Sequence, residues 1–264
     1  MTATAVRVSP EWLLLREPAD AAARSAELAG RLAGHLATAG RLVIHDLGGG
    51  SGAMGRWLAP RLPGPQHWVV HDRDAALLEL AATGAPGPAA DGAAVTVEAR
   101  RSDISRLRSH DLAGASLITA SALLDLLTAE GLVRMLRVCT GCPMLLTLNV
   151  VGRVVLSPAD PLDARMGAAF NAHQRRGGLL GPDAVKTAVT ELGAEVLVRP
   201  SPWRLGAGHA ELAAEWLDGW VAAARDQEPA LAAEAADYRD RRLGQAAAGE
   251  LAVTVDHADL LVLP

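Results

Sequence analysis

The residues best suited to chemistry lie closest together between Arg41 and Arg56, in the run Arg-Leu-Val-Ile-His-Asp-Leu-Gly-Gly-Gly-Ser-Gly-Ala-Met-Gly-Arg. Asp46 ends a short apolar stretch, and Gly48, Gly49, Gly50 and Gly52 crowd the turn after it. Glycines let backbone N–H groups come close to a ligand, and a helix opening behind them offers the positive end of its dipole. Two further acids end or follow later apolar runs, Asp72 after His67–His71 and Asp103 after Val95–Ala99. Three carboxylates with no cationic clamp in their loops suit a cationic ligand better than a pyrophosphate.

The elements that must position these groups follow from the pattern. Leu42, Val43 and Ile44 read as a buried strand, and Ala53, Met54, Trp57 and Leu58 have the spacing of a helix. Before them, residues 10–39 read as helical. Pro18 is expected to break this stretch, and Leu28, Leu32 and Leu36 share one face of the second piece. After them come strands at His67–His71, Val95–Ala99, Leu117–Ala120 and Met144–Val150, with helices at 74–82 and from the turn at Ser121–Leu127 toward Arg137. This alternation predicts a doubly wound, mostly parallel α/β sheet. Right-handed crossovers put the loops after the strands on one edge, which gathers Asp46, Gly50, Asp72, Asp103 and Ser121. The remainder reads as helices at 161–176, 182–192, 209–225 and 229–247, a sixth strand Glu195–Arg199, a rigid corner at Pro200–Trp203, and one or two strands around Asp256-His257.

The loop fits two ligand signatures. Gly50, Gly52 and Gly55 spell G-x-G-x-x-G, and Asp72 comes 22 residues after Gly50, where an acid would hold a ribose hydroxyl of a nicotinamide dinucleotide. The alternative function is therefore an NAD(P)-dependent oxidoreductase. The second signature uses more residues. Asp46, Gly48, Gly50 and Gly52 spell D-x-G-x-G-x-G, which resembles motif I of the class I S-adenosylmethionine-dependent methyltransferases. Asp72 matches that family's ribose-binding acid, and Asp103-Ile104 its adenine-binding acid–hydrophobic pair.

The resemblance covers about residues 40–200 and the last strand, and departs at 152–181 and 209–249. It implies a Rossmann-like methyltransferase fold with a seven-stranded sheet, N-terminal helices (1–40) and a domain at 41–264 with helical insertions forming a cap. It also implies S-adenosylmethionine as cofactor, held by Asp46, Gly48, Gly49, Gly50, Gly52, Asp72, Arg73, Asp103, Ile104 and Ser121. The expected activity is methyl transfer to a small-molecule acceptor through O, N or C. Non-methyl chemistry, or no catalysis, on the same fold stays open.

Acceptor residues carry no shared mark in this family. His173, in Phe-Asn-Ala-His-Gln-Arg-Arg, and Asp125, after the fourth strand, are the candidate general bases. A solvent-facing helix histidine and a helix-start carboxylate are the plainer roles. Asn149 either orients an acceptor or satisfies backbone groups, and His45 reads as packed. Trp12, Trp203, Trp216 and Trp220 either line a cap or fill a core. Arg153, Arg165, Arg175 and Arg176 either meet an anionic acceptor or form a solvated face.

The totals bound the rest. The chain has 264 residues, half of them hydrophobic, and a net charge of −5. That is enough for one large α/β domain or two small ones. No basic run argues for nucleic acid, and no stretch approaches the roughly 18 apolar residues of a membrane span. Met1–Pro10 has no apolar signal core, so a cytoplasmic protein is expected, with a homodimer possible. Cys139 and Cys142, spaced C-x-x-C at the end of a helix, read as packing residues because a redox pair opens a helix and zinc needs two more ligands. No metal site is expected.

Overall fold

The computed structural model describes residues 8–193 and 196–264. The absence of a signal core over the first seven residues, and Glu195 of the expected sixth strand, lie outside the described residues. Ser9 caps the first helix, α1 (Pro10–Ala23), by accepting from the Trp12 N–H at 3.1 Å, and Pro10 fills its first turn. α1 runs straight through Pro18, so the expected break is not there. The chain instead turns at Arg24, where the backbone is extended, and Ser25 caps α2 (Ala26–Leu36). The turn is fixed from outside, because the Ser25 N–H donates to Asp259 Oδ2 at 2.7 Å. A lone proline forfeits one helix bond, whereas this joint is held by a cap and a distant carboxylate.

The sheet follows as β1 (Leu42–Leu47), β2 (Gln66–Asp72), β3 (Val95–Arg101), β4 (Leu117–Ser121), β5 (Met144–Ser157), β6 (Val196–Pro200), β7 (Trp203–Leu205) and β8 (Ala252–Val262). Its order is β3-β2-β1-β4-β5-β8-β6, with β7 on the outer part of β8. β1 to β5 pair in parallel, while β8 runs against β5, β6 and β7. The helices between are α3 (Ala53–Leu58), α4 (Ala75–Thr83), α5 (Ala129–Val138), α6 (Asp163–Gln174), α7 (Ala184–Leu192), α8 (Ala210–Gln227) and α9 (Ala232–Ala247).

Two expectations change. Among the described residues there are eight strands, not seven, because Trp203–Leu205 continues past the proline corner and pairs with Val253–Val255. β5 does not stop at Val150. Two register shifts against β8 let it run on to Ser157, forming an antiparallel arm on which α6, α8 and α9 pack.

Side chains alternate between the two faces of the sheet, as strand geometry requires. Leu42, Ile44, Leu117, Leu145 and Leu261 pack under α2 and α3 with Leu28, Leu32, Met54 and Trp57. Ile118, Leu146 and Leu260 face α5 and α7 with Leu132, Met135 and Ala188. Leu28 and Leu32 are fully buried, each worth about 1.5–3 kcal/mol relative to exposure. A third core joins α6, α8 and α9 to the β5–β8–β7 arm and to Ala19 of α1, around Trp203, Trp220 and Tyr238. No helix among the described residues is long and apolar enough to cross a membrane.

Candidate functional site at the carboxyl edge of the sheet

The glycine loop is shaped by the acids around it. Gly48, Gly50 and Gly52 all have φ between +50° and +81°, which other residues adopt at a cost. Gly49 is required for space: a Cβ there would stand 2.4 Å from Asp46 Oδ2 and 2.8 Å from Val70. The Gly50 N–H donates to Asp72 Oδ2 at 3.0 Å, and the Asp74 N–H donates to Asp72 Oδ1 at 2.9 Å. The end of β2 and the loop after β1 are thereby locked together. Ile104 and Leu123 reach within 3.3 Å of where a Cβ on Gly48 would be, and Leu13 of α1 comes within 3.2 Å at Gly50. α1 therefore lies across the loop, held there by the Glu17–Arg56 ion pair (2.6 Å).

Asp46 is fully buried. Its Oδ1 accepts from Thr119 Oγ1 at 2.7 Å, and its Oδ2 has no hydrogen-bond partner. Burial pushes this carboxyl up to about 7, against the opposing pull of the Thr119 hydroxyl and Arg24. Asp103 is exposed; the Ser105 hydroxyl, then the Ser105 N–H that donates to it at 2.9 Å, with Arg106 and Arg73, hold it below the usual carboxylate range. Ser121 ends β4, where its hydroxyl accepts from Thr147 Oγ1 at 3.1 Å. Arg73 is exposed beside Asp72, and its carbonyl accepts from Arg101.

One part of the site escapes sequence reasoning. The loops hold no cationic clamp, but the α1–α2 joint does. The Arg24 side chain is 1% exposed and its Nη2 donates to Ser121 Oγ at 3.2 Å. It stands 4.0 Å from Asp20 and 5.5 Å from the Trp57 ring centre. Its Nε and Nη1 have no partner. Desolvation lowers its pKa although Asp20, Asp259 and Asp46 all favour the charge. Asp259, also fully buried, accepts from the Ser25 and Leu148 N–H groups at 2.7 and 2.8 Å and so places Arg24 over the sheet edge. Leu148 (φ +56°) and Ala122 (φ +50°) carry left-handed backbone beside this cluster, which costs of order 1–3 kcal/mol each.

The acceptor candidates separate. Asp125, in the 3-10 turn 124–126, has a buried Oδ1 with no partner, and burial raises its pKa against the field of Arg16. His173 sits in the seam between α6 and α8, 3.3 Å from Asp226, beside the Arg176–Asp226 ion pair. Its contacts are those of the α6–α8 seam and not of the glycine loop. Asn149 donates to the Leu146 and Ala258 carbonyls, which satisfies backbone groups at the β5 bulge. His45 and His71 are packed, Nδ1 to Nε2 at 2.8 Å. Trp12 and Trp203 pack by α1, while Trp216 stacks on Trp220 in the core around α6, α8 and α9. Arg153, Arg165, Arg175 and Arg176 are all ion-paired on the surface. Burial pushes Cys139 and Cys142 up to about 12 and 11, which fits inert packing thiols. Among the described residues no cluster of three or more His, Cys, Asp or Glu could hold a metal.

No protein-family model matches the chain, and no curated protein matches it. Solved structures are similar to it. One is a methyltransferase from Thiobacillus denitrificans in complex with S-adenosylhomocysteine: 15% identity, 98% of this chain, 100% of that one, TM-score 0.48. Another is a methyltransferase from Geobacter sulfurreducens in complex with the same molecule: 16% identity, 97% and 98% coverage, TM-score 0.46. A third is the cyclopropane synthase MmaA2 from Mycobacterium tuberculosis: 12% identity, 97% and 95% coverage, TM-score 0.49. The strand order, with the last strand inserted antiparallel between β5 and β6, is by itself that of a Rossmann-like methyltransferase fold.

Proposed function

We propose that this chain binds S-adenosylmethionine and transfers its methyl group to a small-molecule acceptor. One observation carries the reading: the edge of the sheet holds a buried arginine with two unpartnered nitrogens and a buried carboxylate with one unused oxygen. Unpartnered buried polar groups are costly, and a pair of opposite kind suits a ligand with an α-amino-acid end. Arg24 takes its carboxylate and Asp46 its ammonium, which returns Asp46 to the ionised state. Asp72, anchored by the Gly50 and Asp74 N–H groups, takes ribose hydroxyls, and Asp103 with Ile104 takes the adenine edge.

When bound, this cofactor supplies an activated methyl on a sulfonium. The chain's part is to bind, orient and exclude water. Leu13 and the Glu17–Arg56 pair hold α1 over the loop for the last of these. In this reading Asp125, whose buried Oδ1 has no partner, is a carboxylate available to the acceptor. A dinucleotide is the weaker reading, because a buried carboxylate below the loop opposes a pyrophosphate. Calorimetry with S-adenosylhomocysteine tests the site. Micromolar binding by the wild type and at least ~100-fold weaker binding by Asp72→Ala is expected, since two hydroxyl bonds to a carboxylate are worth about 3 kcal/mol or more. Equal affinities would remove the proposal.

A further inference from the structure

A buried histidine on the last strand has no role in the site so far described. His257 lies two residues from Asp259 on the same face of β8 and pairs in register with Val150 of β5. Asp259 holds the joint that carries Arg24. His257 is therefore about 7 Å farther past the carboxyl ends of the parallel strands than the carboxylate that anchors the joint. It is 6% exposed, and its Nδ1 has no hydrogen-bond partner. Its ring packs 5.5 Å from that of Trp203, whose Nε1 donates to Asp20 Oδ1 at 2.9 Å. Arg16 grips Asp20 with two bonds (2.9 and 3.1 Å) and lies 5.0 Å over the Trp203 ring. The field of Arg16 reaches both His257 and Asp125, whose buried Oδ1 also has no partner.

We propose that His257 is the proton acceptor for methyl transfer and that the methyl acceptor is a hydroxyl compound, an alcohol or phenol. The proposal rests on the cofactor reading above. The acceptor oxygen gives a lone pair to the methyl carbon, the carbon–sulfur pair stays on sulfur, and the hydroxyl proton passes to His257 Nδ1. The positive charge lost at sulfur reappears on the imidazole, where the fields of Asp20 and Asp256 favour it against that of Arg16. A hydroxyl needs such a base as its oxygen attacks, whereas a neutral amine does not. Burial, with the field of Arg16, holds the ring's pKa down to about 4 and so keeps it neutral before an acceptor is bound.

Sinefungin tests this without an identified acceptor, because it carries a protonated amine where the methyl sulfonium would be. In wild type, sinefungin should bind more tightly than S-adenosylhomocysteine. The His257→Leu variant should lose at least 10-fold in sinefungin affinity while S-adenosylhomocysteine stays within 3-fold. A second measurement needs no variant: in wild type labelled at the imidazole nitrogens, sinefungin should move the His257 Nδ1 resonance and S-adenosylhomocysteine should leave it in place. Equal loss of both ligands, no loss of either, or a Nδ1 resonance indifferent to sinefungin would each overturn the proposal. No binding of S-adenosylhomocysteine by wild type would instead remove the cofactor reading, and this proposal with it.

Discussion

Replacing Arg24 by Met should separate stability from binding. In the free protein the guanidinium has one hydrogen bond, at 3.2 Å to Ser121, an Asp20 contact at 4.0 Å and a distant face of Trp57. Those are worth about 1–2 kcal/mol together. Against them stand two buried nitrogens with no partner, at about 1 kcal/mol or more each, and the desolvation of the charge itself. Methionine fills a similar volume without those costs, so the variant should be about 1 kcal/mol more stable, a rise of about 2–4 °C in melting temperature. Binding should move the other way. A desolvated charge-assisted contact to a carboxylate is worth about 3 kcal/mol, or roughly 150-fold in the affinity for S-adenosylhomocysteine. The control is 5′-methylthioadenosine, which keeps the adenosine and sulfur but has no amino-acid end, and its affinity should change less than 3-fold. Thermal denaturation and calorimetry on the same samples read both effects. A less stable variant that binds S-adenosylhomocysteine as well as wild type would show that Arg24 is a structural residue and refute the reasoning.

Other perturbations have defined signs. Gly49→Ala drives a methyl to 2.4 Å from Asp46 Oδ2 and should cost about 1–3 kcal/mol in urea denaturation, whereas Gly34→Ala, with nothing within 4 Å in the interior of α2, should gain about 0.5–1 kcal/mol; equal effects would deny the loop its tight fit. Asp259→Ala strands the Ser25 and Leu148 N–H groups and should cost about 2–4 kcal/mol by the same assay, so a loss below 1 kcal/mol would contradict its role at the joint. His257, whose folded pKa is about 4 against 6.5 unfolded, contributes stability that is complete above pH 6.5 and lost as pH falls toward 4. Asp46, raised to about 7, has the opposite sign and loses its contribution as pH rises from 3.8 to 7. The comparison must therefore be wild type against His257→Leu: between pH 7 and pH 4 the wild type should lose about 3 kcal/mol relative to the variant, and parallel curves would refute the burial argument.

The parallel half of the sheet was legible because each strand is an apolar run with an acid or small residue at its end. Leu42–Ile44, His67–His71 and Leu117–Ala120 all fall inside observed strands. Glycine spacing also located the loop, since Gly48, Gly50 and Gly52 are its positions with left-handed backbone. The rest depends on partners that no local pattern records. The Ser25–Asp259 bond joins residues 234 apart, and it, not Pro18, decides where α1 ends. Arg24 looks like one of many surface arginines until that joint buries it. The extension of β5 to Ser157 and the short strand at Trp203 exist because β8 offers edges to both, and His257 reads as an ordinary strand residue until Trp203 and Asp20 close around it. A signal was available for one of these: an i, i+4 series Arg16–Asp20–Arg24 along one side of the first helix marks a face that meets other charges.

Calorimetric titration of the purified protein with S-adenosylhomocysteine, with NADH run alongside, tests the central claim most directly. The account predicts micromolar binding of S-adenosylhomocysteine and no heat from NADH. Binding of NADH alone would overturn the assignment of Asp46 and Arg24 to an amino-acid end and return the loop to the dinucleotide reading, and silence from both would contradict the cofactor assignment altogether.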